Sequence, residues 1–312
     1  MVTAREITVL LATYNGARFL PEQLASLRGQ TDGAFRVLMR DDGSTDGTGA
    51  LLARAAEDPR FAVVPEEEKH LGAAGSFLTL LQLARTPYAA LCDQDDVWAP
   101  ERLSRCRATM EAAEAKWGAD CPILVHSDCA LMDGEGRPIA PSFFRRQGWR
   151  GDAVSLPELL VQNNVTGCTV LLNRPLAELA GRADPAAVEM HDWFLAQTAA
   201  AFGHIVFLPE ALVSYRQHGD NAIGASRRSL PGRVAEALRT PEKARARIAL
   251  TYRRAALLLE TYGDALPEEG RETILAYLAT EHMPRLQRIR AVMKGGYRMQ
   301  SPWARMGQRI FG

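Results

Sequence analysis

Short apolar runs and amphipathic stretches alternate through the first hundred residues. Ile7–Ala12 reads as a strand, and Leu20, Leu24 and Leu27 then recur at helical spacing. Phe35–Met39 predicts a second strand, followed by a helix carrying Leu51, Leu52 and Ala55 and a short third strand, Phe61–Val64. Phe77, Leu80, Leu81 and Ala84 mark another amphipathic helix before the run Tyr88–Cys92. Strand and helix alternating at this period predict a parallel α/β sheet with right-handed crossovers. A long helix should follow, with Leu103, Cys106, Met110, Ala113 and Trp117 on one stripe.

Beyond that helix the pattern changes. Ile123–Met132, Gly167–Leu172 and Ile205–Leu208 read as strands with longer, irregular connections. From about Leu230 the pattern is helical, with Ile248, Tyr252, Ala255, Leu259 and Tyr262 on one face, and Met283-Pro284 should interrupt the next helix. The expected organisation is a catalytic domain over 1–224, divided into a nucleotide half (about 1–120) and an acceptor half (121–224). A helical extension over 225–312 completes it.

Charge sharpens that division. The 312 residues are formally neutral, yet from Ala225 onward 17 Lys and Arg stand against 8 Asp and Glu. A basic tail on an acidic body points to an anionic partner or a membrane surface. Its last stretch, with Arg285, Arg288, Arg290, Lys294, Arg298, Arg305 and Arg309 interleaved with apolar and aromatic residues, reads either as a helix in an anionic interface or as one docked on the acidic body. The five cysteines show no Cys-x-x-Cys spacing, which fits neither a disulfide framework nor a zinc site. The amino terminus lacks a signal-peptide pattern, and no uncharged run is long enough to span a bilayer. A cytoplasmic protein, peripheral on the inner membrane face, is expected.

The chemistry concentrates where the predicted parallel strands end, the place where such sheets bind ligands. Thr13-Tyr14-Asn15 follows the first strand, Asp41-Asp42 the second, and Asp93-Gln94-Asp95-Asp96-Val97-Trp98 the fourth. Three carboxylates within four positions repel one another and are costly to desolvate, so they call for cations. Mg²⁺ or Mn²⁺ bridging to a substrate phosphate meets that need. An acidic loop capping the helix near Pro100 is the plainer alternative. No Gly-x-x-x-x-Gly-Lys or Gly-x-Gly-x-x-Gly cradle occurs, so the expected ligand is a nucleotide held through base and ribose, its diphosphate neutralised by metal.

Taken in order, these motifs resemble family-2 glycosyltransferases of the GT-A fold over roughly residues 5–220. That fold is a Rossmann-like α/β architecture with a mixed, mainly parallel sheet flanked by helices. The rhamnosyltransferase-like members are the most similar, through Asp93–Trp98, Thr166-Gly167-Cys168, His191-Asp192-Trp193 and Tyr215-Arg216-Gln217-His218. The resemblance implies donor contacts from Thr13, Tyr14, Asn15, Asp42, His70, Gly75, Asp93, Gln94, Gly167 and Arg216. His70 stands where relatives often carry Asn. Asp95 and His218 become metal ligands, with Asp93 joining through water, and Asp192 becomes the base that deprotonates the acceptor.

Each residue has a bland role beside this one. Asp41 and Asp42 suit turns, Gly167 a bulge, Arg216 an internal carboxylate and Asp192 a helix start. The Phe143–Gly151 segment is the expected lid. The implied activity is inverting transfer from a nucleotide sugar, dTDP-L-rhamnose first, to a glycan or lipid-linked glycan, with no nucleic acid partner. UDP-galactose or a UDP-N-acetylhexosamine is the same-class alternative. A nucleotidyltransferase and a non-catalytic sugar-nucleotide sensor are the rivals from other classes.

Overall fold

Nine strands form one mixed sheet in the computed structural model, which describes residues 6–65, 70–218 and 240–311. Its first half follows the alternation in the sequence: β1 (Ile7–Thr13), α1 (Leu20–Arg28), β2 (Phe35–Asp41), α2 (Thr48–Ala55), β3 (Phe61–Val63), α3 (Gly72–Leu83) and β4 (Tyr88–Asp93). These strands lie in the order β3-β2-β1-β4, all parallel. Their apolar runs are continuous because both faces are covered. Ile7, Val9 and Leu11 of β1 enter one core beside Leu24 and Leu52, whereas Leu10 enters the other beside Leu78 and Leu80. The period-two alternation of the strand thus feeds two cores.

The second half is laid on with mixed direction. It comprises β5 (Val97–Trp98), α4 (Arg102–Trp117), β6 (Ile123–Asp133), β7 (Pro138–Ala140), α5 (Phe143–Gln147), α6 (Leu156–Val161), β8 (Leu171–Asn173), α7 (Arg174–Ala180), α8 (His191–Phe202) and β9 (His204–Gln217). The sheet continues β4-β8-β6-β9-β5, with β8 antiparallel to both neighbours and β9 parallel to β6.

Two strand expectations need correction. Gly167–Thr169 is a 3₁₀ turn, and the strand begins only at Leu171. The strand expected over Ile205–Leu208 runs on to Gln217. Pro209 does not end it because the pairing slips between Ser127 and Asp128, where Leu208 and then Ala211 are the partners. An irregularity of this kind accommodates a proline that cannot donate to the ladder.

Four helices follow: α9 (Pro241–Tyr262), α10 (Glu268–Ala279), α11 (Arg285–Lys294) and α12 (Pro302–Phe311). The helical start expected near Leu230 lies outside the described residues. Met283-Pro284 separates α10 from α11, as the proline predicts. These helices dock on the body: Ala255, Leu258, Tyr262, Ile274 and Tyr277 share the core of Phe194 and Leu195. A tyrosine hydroxyl knits the join, Tyr262 to Thr198 at 2.9 Å, and Tyr277 to Thr251 at 2.7 Å ties α10 to α9. No helix among the described residues is long and apolar enough to cross a membrane.

Gly203 closes the turn from α8 into β9, where a Cβ would stand 1.9 Å from the Pro122 carbonyl oxygen. Backbone cannot give way as a flexible side chain would. Gly203→Ala should therefore cost about 1–3 kcal/mol, the usual range for overpacking, read from the shift in urea midpoint.

Candidate active site

The loops after β1 and β2 are laced together before any ligand arrives. Thr13 Oγ1 donates to Asp41 Oδ1 at 2.8 Å, and Ser44 donates to the same carboxylate from both its amide and its hydroxyl. Asn15 is the only non-glycine residue at positive φ among the described residues, at 47°, a conformation asparagine tolerates. Its Oδ1 accepts from Thr45 N–H at 2.9 Å, and its own N–H donates to Ser44 Oγ at 2.8 Å. Gln94 crosses from the β4 loop, accepting from Tyr14 N–H at 2.8 Å and donating to the Tyr14 carbonyl at 2.9 Å. The side chains of Asn15 and Gln94, expected at the donor, are therefore spent on holding loops. That lacing leaves the Tyr14 ring 49% exposed, 4.8 Å from the His70 ring.

Asp42 is buried at 4% exposure and saturated. It accepts from Arg40 at 2.5 Å, Leu71 N–H at 2.8 Å and Gly72 N–H at 2.7 Å, with His70 Nδ1 2.9 Å away. Burial alone would raise its pKa, but these donors outweigh it and hold the carboxyl below the usual aspartate value. Asp42 thus anchors the N-terminus of α3. Gly75 lies inside that helix, where a Cβ would meet Leu71 Cβ at 2.7 Å and the Pro185 carbonyl at 3.4 Å. Its lack of a side chain serves helix packing.

Beyond β4 the carboxylates converge. Asp93 is raised to about 7, first by burial and then by the charges of Asp95 and Asp192. Asp192, in the first turn of α8, is raised to about 6 by burial, opposed by the Trp193 and Gly167 amides and the charge of Arg254. Gly167 presses against this turn: a Cβ there would come 2.9 Å from His191 Nε2 and 3.5 Å from Asp192 Cβ. The close approach accounts for both the glycine and the 3₁₀ turn. His191 stacks on Phe77 at 4.2 Å and is held neutral by burial, its pKa lowered to about 3.

Arg216 pairs with an internal carboxylate, one of the two roles its sequence position allows. It is 2% exposed, its Nε donates to the Asp95 carbonyl at 2.7 Å, its amide donates to Asp96 Oδ1 at 2.9 Å, and its guanidinium pairs with Glu22. From β9 it braces the acidic loop from behind. The Phe143–Gly151 segment is also pinned. Phe143 and Phe144 are buried, Ser142 caps α5, and a Cβ on Gly151 would strike the Phe207 ring at 2.0 Å.

Residues 8–129 match the model of glycosyl transferase family 2. An uncharacterized protein of Mycobacterium tuberculosis is 28% identical over 216 residues, 68% of this chain and 59% of that protein. The dTDP-rhamnosyl transferase RfbG of Shigella flexneri is 24% identical over 228 residues, 69% of this chain and 74% of that one. S. aureus TarS 1-349, solved in complex with UDP-GlcNAc, has a TM-score of 0.58 at 18% identity, over 93% of this chain and 80% of that chain. Residues 8–129 thus carry the likeness to family 2, and the architecture is that of GT-A glycosyltransferase structures. It spans about three-fifths of the length of its mycobacterial relatives.

A family-2 site that uses a hard divalent cation needs oxygen or imidazole ligands beside a phosphate-sized opening, and two groups here compete for that role. Asp93, Asp96 and Cys168 bring ligand atoms within 4.8 Å of one another. Asp96 is fully buried, however, and burial pushes the Cys168 thiol well above its usual range, which keeps it protonated. A buried thiol is a poor partner for Mg²⁺ or Mn²⁺. Asp95 Oδ2 and His218 Nε2 meet at 2.7 Å at the edge of the cluster, and Asp93 stands two residues away. This second group fits a divalent ion by donor chemistry.

The sequence reading missed Arg102. It is fully buried over Trp98 at 3.4 Å and donates to the Cys168 carbonyl at 2.7 Å and the Leu91 carbonyl at 3.3 Å. That clasp joins the end of β4 to the Gly167 turn beneath the acids, and its positive charge pulls the Asp93 pKa down. At a helix start it has the sequence signature of a surface residue. Only the three-dimensional fold reveals it.

Asp42→Ala would remove a buried carboxylate from Arg40 and the acceptor of the Leu71 and Gly72 amides. The expected cost is about 3–5 kcal/mol in denaturant titration at neutral pH. Because the folded pKa lies below the unfolded value of about 3.9, the stabilisation Asp42 supplies exists above that value. It fades as pH falls through the folded pKa. Wild type and variant should therefore converge in stability under strong acid, and a gap that persists there would refute the assignment.

Proposed function

We propose that the chain is an inverting glycosyltransferase that moves a deoxyhexose, dTDP-L-rhamnose being the first candidate donor, onto a hydroxyl of a surface polysaccharide. The catalytic unit is residues 1–224 and the helical extension 225–312. The observation that carries the reading is Asp192: a carboxylate on a rigid helix start, raised to about 6, beside Asp93 and Asp95 at the mouth of the sheet. A base tuned upward yet ionised at neutral pH suits removal of a proton from an attacking alcohol, a contribution of roughly 10²–10⁴-fold.

The other residues take supporting parts. Asp192 accepts the acceptor proton on the carboxylate, while the Gly167 turn lets the sugar lie close to it. Tyr14 and His70 flank the base, and Thr13 closes the floor through Asp41. Asp95 and His218 would hold Mg²⁺ or Mn²⁺, with Asp93 joining through water. When bound, such an ion neutralises charge on the diphosphate leaving group.

The likeness to RfbG favours dTDP-rhamnose, though at 24% identity. A UDP-galactose or UDP-N-acetylhexosamine donor is the second reading, favoured by the fold shared with a protein solved with UDP-GlcNAc. A lipid-linked acceptor at the cytoplasmic membrane face, met through the basic helices, would complete the reaction.

Asp192→Asn should leave donor affinity within about twofold, measured by calorimetry with Mn²⁺, and lower turnover by about 10²–10⁴-fold. Loss of donor binding with chemistry intact would move the base elsewhere. The wild-type rate should have an acidic limb with a midpoint near 6, falling as pH drops and Asp192 takes up a proton. A rate level from pH 5 to 8 would contradict that role.

A further inference from the structure

We infer that the C-terminal helices hold a binding site for a phosphate-bearing lipid, with one alkyl chain in an apolar cavity and its headgroup on Arg298 and Arg305. The cavity, about 230 Å³, lies between α6, α9 and α11, away from the acidic cluster. Val161, Ile248 and Tyr252 form one wall; Ile289, Val292 and Met293 form the other. Its size falls below the roughly 300–1,000 Å³ of pockets that enclose a drug-sized ligand, and a nucleotide sugar is too large and too polar for it. A single alkyl chain suits it.

The polar atoms of its walls are already paired with one another. Thr251 and Tyr277 share a hydrogen bond of 2.7 Å, and the Tyr252 hydroxyl meets Thr280 at 3.0 Å. The interior therefore offers little to a sugar or a peptide backbone. Its rim is different. Arg298 and Arg305 line it and stand exposed, each donating only to a backbone carbonyl, Met293 at 3.4 Å and Gln300 at 3.3 Å. Neither has a carboxylate partner among the described residues, and no acidic residue lines the cavity. Two guanidinium groups at the mouth of a dry cavity select an anion joined to a hydrocarbon. Arginine's planar fork suits phosphate oxygens.

The helix beside the mouth is shaped for the same encounter. Leu286 is 73% exposed and Met293 42%, and with Ile289 they stand at i, i+3 and i+7 along one face of α11. Apolar side chains in water around a basic rim mark the surface that would meet lipid. The site goes beyond the proposed transfer reaction and does not depend on it.

Dodecyl phosphate below its micellar concentration is the probe, titrated calorimetrically into the full chain without donor or metal. Binding to wild type is expected, with dodecanol and inorganic phosphate each at least tenfold weaker. Val292→Trp, which fills the cavity, should abolish binding, and Arg298→Gln with Arg305→Gln should weaken it at least tenfold. Met293→Trp at the cavity edge serves if Val292→Trp fails to fold by circular dichroism. Undiminished binding in a filled cavity would overturn the site, as would no binding to wild type. Equal affinity for dodecanol would remove the headgroup from the proposal and so refute it. Donor affinity of the same variants, measured with Mn²⁺, should stay at the wild-type value, so failure here is separable from failure of the transferase reading.

Discussion

Mutual repulsion among carboxylates in a partly desolvated space is the constraint on which the rest of this structure depends. Asp93, Asp95, Asp96 and Asp192 come from two distant segments and lie close enough for burial and one another's charge to raise Asp93 to about 7. A fold gains nothing in stability from such a cluster, so the surroundings must hold it open. Arg102 from beneath and Arg216 from behind clasp backbone carbonyls on either side of it. The cluster is thus braced by buried cations that clasp the backbone around it.

Several residues of the site motifs also tie the surrounding loops together. Gln94 ties its loop to the backbone of Tyr14, Asn15 fixes the turn against Thr45, and Asp42 fastens the start of α3. Each spends its polar atoms on another loop. A site on flexible connections would lose definition through conformational entropy, and these ties cross-link three strand ends before a substrate binds. The Tyr14 and His70 rings are left exposed beside one another.

The N-terminal half was legible because a parallel sheet buried on both faces writes itself as apolar runs between amphipathic helices, and Ile7–Thr13 through Tyr88–Asp93 follow that rule. Gly167-Cys168-Thr169 was misread because an apolar, β-branched string looks like a strand. Its turn is dictated by contact with His191 and Asp192, some two dozen residues further along. The brace that Arg216 forms could not be read, since the length of β9 depends on a pairing slip opposite Ser127 and Asp128 that no local pattern announces. Arg102 was invisible for the complementary reason: nothing at a helix start marks an arginine as destined for the interior. Positions decided by their own neighbours could be read, and those decided across the sheet could not.

The charge asymmetry between body and tail has a related resolution. An acidic body and a basic tail invite pairing across the join, yet Tyr262 and the apolar faces of α9 and α10 make the dock, and Arg254 pairs with Glu189 across it. Arg254 also lies over the Trp193 ring at 4.2 Å, and its charge draws the pKa of Asp192 downward. A division at residue 224 therefore cuts through the electrostatics of the site. The Arg254 charge on α9 thus opposes the burial that raises Asp192. The helical extension helps to set the protonation of the group that the first 224 residues present.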